Sequence, residues 1–166
     1  MNARLLVMYY YRRKIDRRKR KIGIIATAAK MGNERSLAMK ALSVRQPYAW
    51  FIESGEKEVE YRTWKTDYRG DLLICASTNR EPGIVEEFGV EGMKQCPAGV
   101  AVCVATLADI QPTEGIWGWI LKNPRPVEYF PVKGKLHLFE VDDGLIRFSA
   151  RRCKTPTELE QEPEFD

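Results

Sequence analysis

ALSVRQPYAWFIESGEKEVEYRTW, Ala41 to Trp64, is the stretch from which the fold is read. Leu42 and Val44 alternate as on a short strand, and Pro47 suits the first turn of a helix. Tyr48, Phe51 and Ile52 then recur at i, i+3 and i+4, which predicts one buried helical face ended by Gly55. From Glu58 the period becomes two. Val59, Tyr61 and Thr63 share one side of a second strand, while Glu60, Arg62 and Trp64 share the other. A carboxylate, a guanidinium and an indole in a row, with Lys57 at the strand's entrance, make a poor core face and a plausible ligand-binding wall. The plainer alternative is an exposed edge carrying a salt bridge.

Downstream, TDYRGDLLICAS turns at Arg69 and Gly70 and continues as a strand apolar on both faces, delivering Ser77 and Thr78 to its C-terminal end. Ile84 to Lys94 reads as a short, irregular helix weakened by Gly89 and Gly92. Gly99 to Ile110 is the clearest strand, with Val100, Val102 and Val104 on one face and small residues on the other. Trp117 and Trp119 would point the same way on a strand, and Asn123, Pro124 and Pro126 predict a turn after them. Phe130 to Val141 reads as a closing hairpin or a strand bent around Gly134. Several short strands with one or two flanking helices define an α+β domain, a small mixed β-barrel rather than a doubly wound sheet.

Upstream, residues 1–38 read as a basic extension on a domain that begins at Met39. Residues 1–40 carry 12 Lys or Arg against 2 acids, and the run Arg12 to Lys21 has no helical apolar stripe, so low order is expected there. Three readings fit it: a phosphate-binding arm, an Arg-rich targeting segment, or sequence ahead of a later start at Met31 or Met39. The domain is expected over 39–148, followed by a polar, acidic tail over 149–166. Between 41 and 156 the charge is close to balanced, 15 bases to 16 acids, so a nucleic-acid site has to be a local patch.

The 166 residues, 44% apolar, suit one domain with a real core. Four cysteines with no C-x-x-C pair and a single histidine, His137, argue against a structural zinc, and reduced thiols fit a cytoplasmic protein. No apolar run reaches the about 18 residues a membrane span needs, so no membrane partner is expected. Without a Gly-rich phosphate loop or a metal-ligand cluster, no cofactor or metal is expected either.

Five separated segments carry a family resemblance: LSVRQPYAW, the G-x-K-x-x-E-x-R pattern of Gly55, Lys57, Glu60 and Arg62, YRGDLLICAS, WGWILKNPRPV and PVKGKLHLFEV. In that order, over about residues 39 to 142, they resemble the ASCH domain family of the PUA-like superfamily. The resemblance implies a PUA-like β-barrel with flanking helices and a cleft beside it that recognises RNA, a nucleotide or a modified nucleoside. It also implies an alternative, a small metal-independent hydrolase. Some small ASCH proteins remove the acetyl group of acetylated cytidine with the motif's Lys, a Thr three residues later and a distant Glu, and others are described as ribonucleases. Lys57 matches that pattern, but Glu60 stands where the Thr would be, which removes the hydroxyl nucleophile. Ser77 or Thr78 would have to supply one. A third reading is a protein-interaction module in a regulatory assembly.

In a binding site, Lys57 and Arg62 contact phosphate or a base edge, Glu60 accepts from an exocyclic amine, and Trp64 or a tryptophan of another strand stacks. In a hydrolytic site, Glu60 is the general acid or base and Lys57 stabilises an oxyanion or lowers a neighbour's pKa. Gln46, Ser77 and Thr78 complete the candidate site, with Gln46 either touching the ligand or pinning the helix start. Trp117 and Trp119 read as core before platform, and His137 as an ordinary strand residue with no nucleophile beside it.

Overall fold

The computed structural model describes residues 38–155 and 157–158. The expected basic extension, apart from Ala38, lies outside these residues, as does the end of the acidic tail. The elements are β1 (Ala38–Gln46), α1 (Tyr48–Glu53), β2 (Val59–Arg62), β3 (Gly70–Arg80), α2 (Ile84–Lys94), β4 (Val100–Thr113), β5 (Ile116–Pro131) and β6 (Leu138–Asp142). The strands form one mixed sheet in the order β2-β5-β4-β3-β1-β6. Among the described strands only β1 and β3 run parallel, and the crossover this demands holds α1 and β2. The class is α+β. Among the described residues no ladder closes the sheet, because β2 and β6 end it on either side. Among the described residues no helix is long and apolar enough to cross a membrane.

Alternation along β1 and β3 builds two cores. Leu42, Val44, Leu72 and Ile74 pack with Trp119 and with Ala49 and Ile52 of α1, while Ala41, Leu73 and Cys75 pack with Val127, Phe139 and Val141. Gly55, at φ 83, stops α1 where the periodicity ends, and Gly89 at φ 60 and ψ −166 kinks α2.

Three local expectations are corrected. The buried face of α1 is Ala49, Trp50, Ile52 and Glu53, and Tyr48 and Phe51 are half-buried. That rotation follows from distant partners: Trp50 Nε1 donates to the Lys154 carbonyl at 2.8 Å, and Glu53 meets Arg151 at 2.5 Å. Second, β5 runs straight through Asn123, Pro124 and Pro126. β2 pairs only with Trp117 to Ile120, and the chain returns to that edge only at Val127, bridged to Phe148. Among the described residues Asn123 and Pro124 therefore meet no partner strand there, and Pro126 is asked only for its carbonyl, which accepts from the Ser149 N–H at 2.9 Å. Shifts in the register with β4 absorb the misfit. The β4–β5 turn falls instead at Glu114 and Gly115, both at positive φ as a tight two-residue hairpin requires. Third, Phe130 to Val141 is no hairpin. β5 ends at Pro131, residues 132–137 form an irregular link, and β6 pairs with Ala38 to Leu42 of β1.

Candidate functional site

Because β6 covers β1 only as far as Leu42, the outer edge of β1 is open from Ser43 onward. β2 fills that opening with a side chain: Arg62 Nη2 donates to the Ser43 carbonyl at 2.7 Å. Strands that lie far apart in sheet order are thereby bridged, and the sheet curls around the bridge.

Glu60 is buried at 8% exposure and divides its carboxylate. Oε1 takes Arg62 Nη2 at 3.1 Å, and Oε2 takes Lys57 Nζ at 3.3 Å. Lys57 is itself 7% exposed, donates to the Val59 carbonyl at 2.6 Å, and lies 5.5 and 5.3 Å from the ring centres of Tyr48 and Tyr61. Burial lowers the Lys57 pKa below the ordinary lysine value, against the pull of the Glu60 carboxylate. Arg62 spends Nη2 twice, yet its Nε–H is buried with no acceptor, and the Ser43 hydroxyl is likewise buried without a partner.

Register surrounds this chain with rings. Glu60 lies opposite Trp119 and Arg62 opposite Trp117. Trp119 is fully buried and donates Nε1 to the Trp64 carbonyl at 3.3 Å, whereas Trp117 is half-buried with Lys65 Nζ 4.8 Å from its ring centre. Trp64 stands edge-on between Trp119 at 4.7 Å and His137 at 4.8 Å. His137 therefore does not sit in a strand; it precedes β6 at φ 58, exposed, with its ring on Trp64. A cleft of about 390 Å³, large enough for a small ligand, lies between the α1–β2 turn and β5. Gly55, Lys57, Glu58, Lys122 and Asn123 line it, and Glu60 and Arg62 touch it only through Lys57.

The other candidates lie apart from this group. Gln46 is fully buried, accepts from the Trp50 amide and donates to the Pro97 carbonyl, both at 2.9 Å, so it pins the start of α1. The Ser77 hydroxyl is engaged by the Asn79 backbone and Thr78 is exposed, and neither bonds to Lys57, Glu60 or Arg62. The hydroxyl beside the motif is that of Ser43, which sequence spacing does not single out. Burial pushes the thiols of Cys75, Cys96 and Cys153 up to about 12 and raises Cys103 as well, so none is an activated nucleophile at neutral pH. Among the described residues, no three His, Cys, Asp or Glu side chains gather as a metal site.

A small α+β domain with a curled mixed sheet and, at its gap, a buried Lys57–Glu60 pair joined to the half-buried Arg62 is the class that results. The ASCH domain family model matches residues 42–164, and the chain belongs to that PUA-like family. It is 30% identical to Activating signal cointegrator 1 of Homo sapiens and, equally, to the protein of that name from Mus musculus. Those alignments cover 63% of this chain and 22% of each relative, so the chain spans about a fifth of the length of the curated relatives it matches.

Proposed function

We propose that this ASCH domain binds RNA or a nucleotide at the β1–β2 gap, with Arg62 holding an oxygen of the ligand and the Trp64, Trp117 and His137 rings offering faces to a base. One observation carries the reading: Arg62 shares its carboxylate with Lys57 and keeps a buried Nε–H without an acceptor. An unanswered buried donor costs about 1–3 kcal/mol, more on a charged group, and a gap that needed only closing could be filled by apolar side chains at lower cost. A phosphate or carbonyl oxygen answers that donor. Aromatic rings beside cations suit nucleic acid, since stacking contributes about 1–3 kcal/mol per base. Membership of a PUA-like family supports the same class of ligand.

Hydrolysis of a modified nucleoside is favoured by one feature, the burial that lowers the Lys57 pKa toward a range useful for proton transfer. Against it, both Glu60 oxygens are engaged by cations, which leaves no lone carboxylate as base. The relatives' name, an activating signal cointegrator, supports a module within a regulatory assembly, which needs no chemistry at Lys57. Calorimetric titration of the full chain with nucleoside monophosphates and short RNAs, beside Arg62→Gln, tests the binding reading. Loss of affinity in a variant that stays folded is expected, and unchanged affinity refutes it. Mass spectrometry of acetylated cytidine incubated with the protein decides hydrolysis: turnover abolished by Lys57→Ala would replace the binding-only account.

A further inference from the structure

Several exposed cations of the described domain are neutralised locally. Arg45, Arg69, Arg125 and Arg152 each hold a carboxylate. Lys65, Lys133 and Lys135 are exposed and hold none among the described residues; so are Lys122, which lines the cleft, and Arg80 and Arg147, which donate to backbone carbonyls elsewhere. The first three are not scattered. Lys133 and Lys135 flank Gly134, which runs hard against the open edge of β1: a Cβ there would lie 2.5 Å from Ser43 Oγ. Three residues on, His137 lays its ring on Trp64, and Lys65 follows Trp64 in the chain with its ammonium over Trp117. The link between β5 and β6 is thus a strap pinned at both ends across the gap bridged by Arg62, presenting lysines beside rings.

We propose that this strap, residues 132–137, together with Lys65, is the phosphate track of a single-stranded RNA interface. Lys65, Lys133 and Lys135 each take a backbone phosphate, while bases stack on the exposed His137 and on the accessible part of Trp117. Three unneutralised cations around one gap repel each other, and a polyanion relieves that repulsion. Rings interleaved with them favour RNA over an acidic peptide, which has charge but no faces to stack. The inference rests on the reading of Arg62 as a ligand-binding residue and adds the surface that leads to it.

The test uses the full chain, a labelled oligouridylate and uridine monophosphate over a salt series. Each lysine–phosphate contact contributes roughly 0.7 to the slope of log affinity against log salt. Lys133→Gln with Lys135→Gln should therefore flatten the slope by about 1.4 and weaken RNA binding about 25-fold at 0.1 M salt. Monophosphate affinity should stay unchanged. Lys40→Gln with Arg152→Gln, which removes the same charge elsewhere, should do much less. A strap variant indistinguishable from that control overturns the track, and leaves the Arg62 reading standing if Arg62→Gln still abolishes monophosphate binding. Arg62→Gln with no effect on monophosphate overturns the Arg62 reading itself. If oligoglutamate binding falls by the same factor as RNA binding in the strap variant, the track is a general polyanion surface and RNA is the wrong partner.

Discussion

Glu60→Gln strikes the centre of the site, because one carboxylate answers two cations. The Lys57 and Glu60 side chains are 6% and 10% exposed, so solvent cannot take over the missing charge. Removing one partner of a buried pair costs about 3–5 kcal/mol, and the amide keeps an acceptor oxygen, which places the expected loss near about 3 kcal/mol. The loss should depend on pH. Burial already lowers the Lys57 pKa from 10.5, opposed chiefly by Glu60, so without that carboxylate it falls further. A lysine depressed in the folded state binds fewer protons there than in the unfolded chain, between its folded pKa and 10.5. Stability of the variant relative to wild type must then rise with pH only between its own folded Lys57 pKa and the higher folded value in wild type, with the full deficit present below that window. Urea unfolding at several pH values from 6 to about 10 reads both quantities. A deficit under about 1 kcal/mol that is flat with pH would show that Lys57 and Glu60 are not a buried pair, and the reasoning from their burial fails.

Three further substitutions probe the surroundings. Arg151→Met leaves the Glu53 carboxylate, 0% exposed, without its cation; the loss is about 2 kcal/mol at neutral pH, discounted because Arg151 is about a third exposed. Burial raises the Glu53 pKa above 4.5 and Arg151 opposes it, so the deficit should shrink as pH falls through the raised folded value, and a deficit that grows on acidification refutes the assignment. Gly134→Ala should cost about 1–2 kcal/mol in thermal or urea unfolding by forcing the strap off Ser43, and an unaltered midpoint means that the strap is not pinned there. Gln46→Leu strips partners from the Trp50 amide and the Pro97 carbonyl at a cost of about 2–4 kcal/mol while leaving ligand affinity intact; an affinity change in the folded variant would return Gln46 to the site.

What the sequence reveals is what repeats locally. The period of two carries Glu60 and Arg62 onto one face of β2, and Lys57 lies close enough in the chain to join them, whereas Trp64, expected on the same strand face, falls in a bend beyond the end of β2 and is placed by its contacts with Trp119 and His137. The doubly buried Leu72 to Ala76 and the kink at Gly89 are legible for the same reason. The misses depend on distant chain. The inward face of α1 is set by Trp50 reaching a carbonyl 104 residues away, and the continuity of β5 through its prolines is set by the stretch of its outer edge that β2 and the Arg147–Ser149 segment leave unpaired. Ser43 matters because β6 stops pairing one residue before it, and His137 matters because the strap brings it to Trp64. Neither residue carries a local signal of that placement.

Nitrogen-15 NMR of the full chain during titration with oligouridylate tests most directly whether Arg62 holds a ligand oxygen at the β1–β2 gap. The probes are the Arg62 Nε–H and the indole N–H groups of the four tryptophans. Saturable shifts are expected at Arg62 Nε and at the Trp64 and Trp117 indoles, with Trp50, tied to the C-terminal segment, unmoved. RNA that binds while Arg62 Nε and both of those indoles stay in place would contradict it.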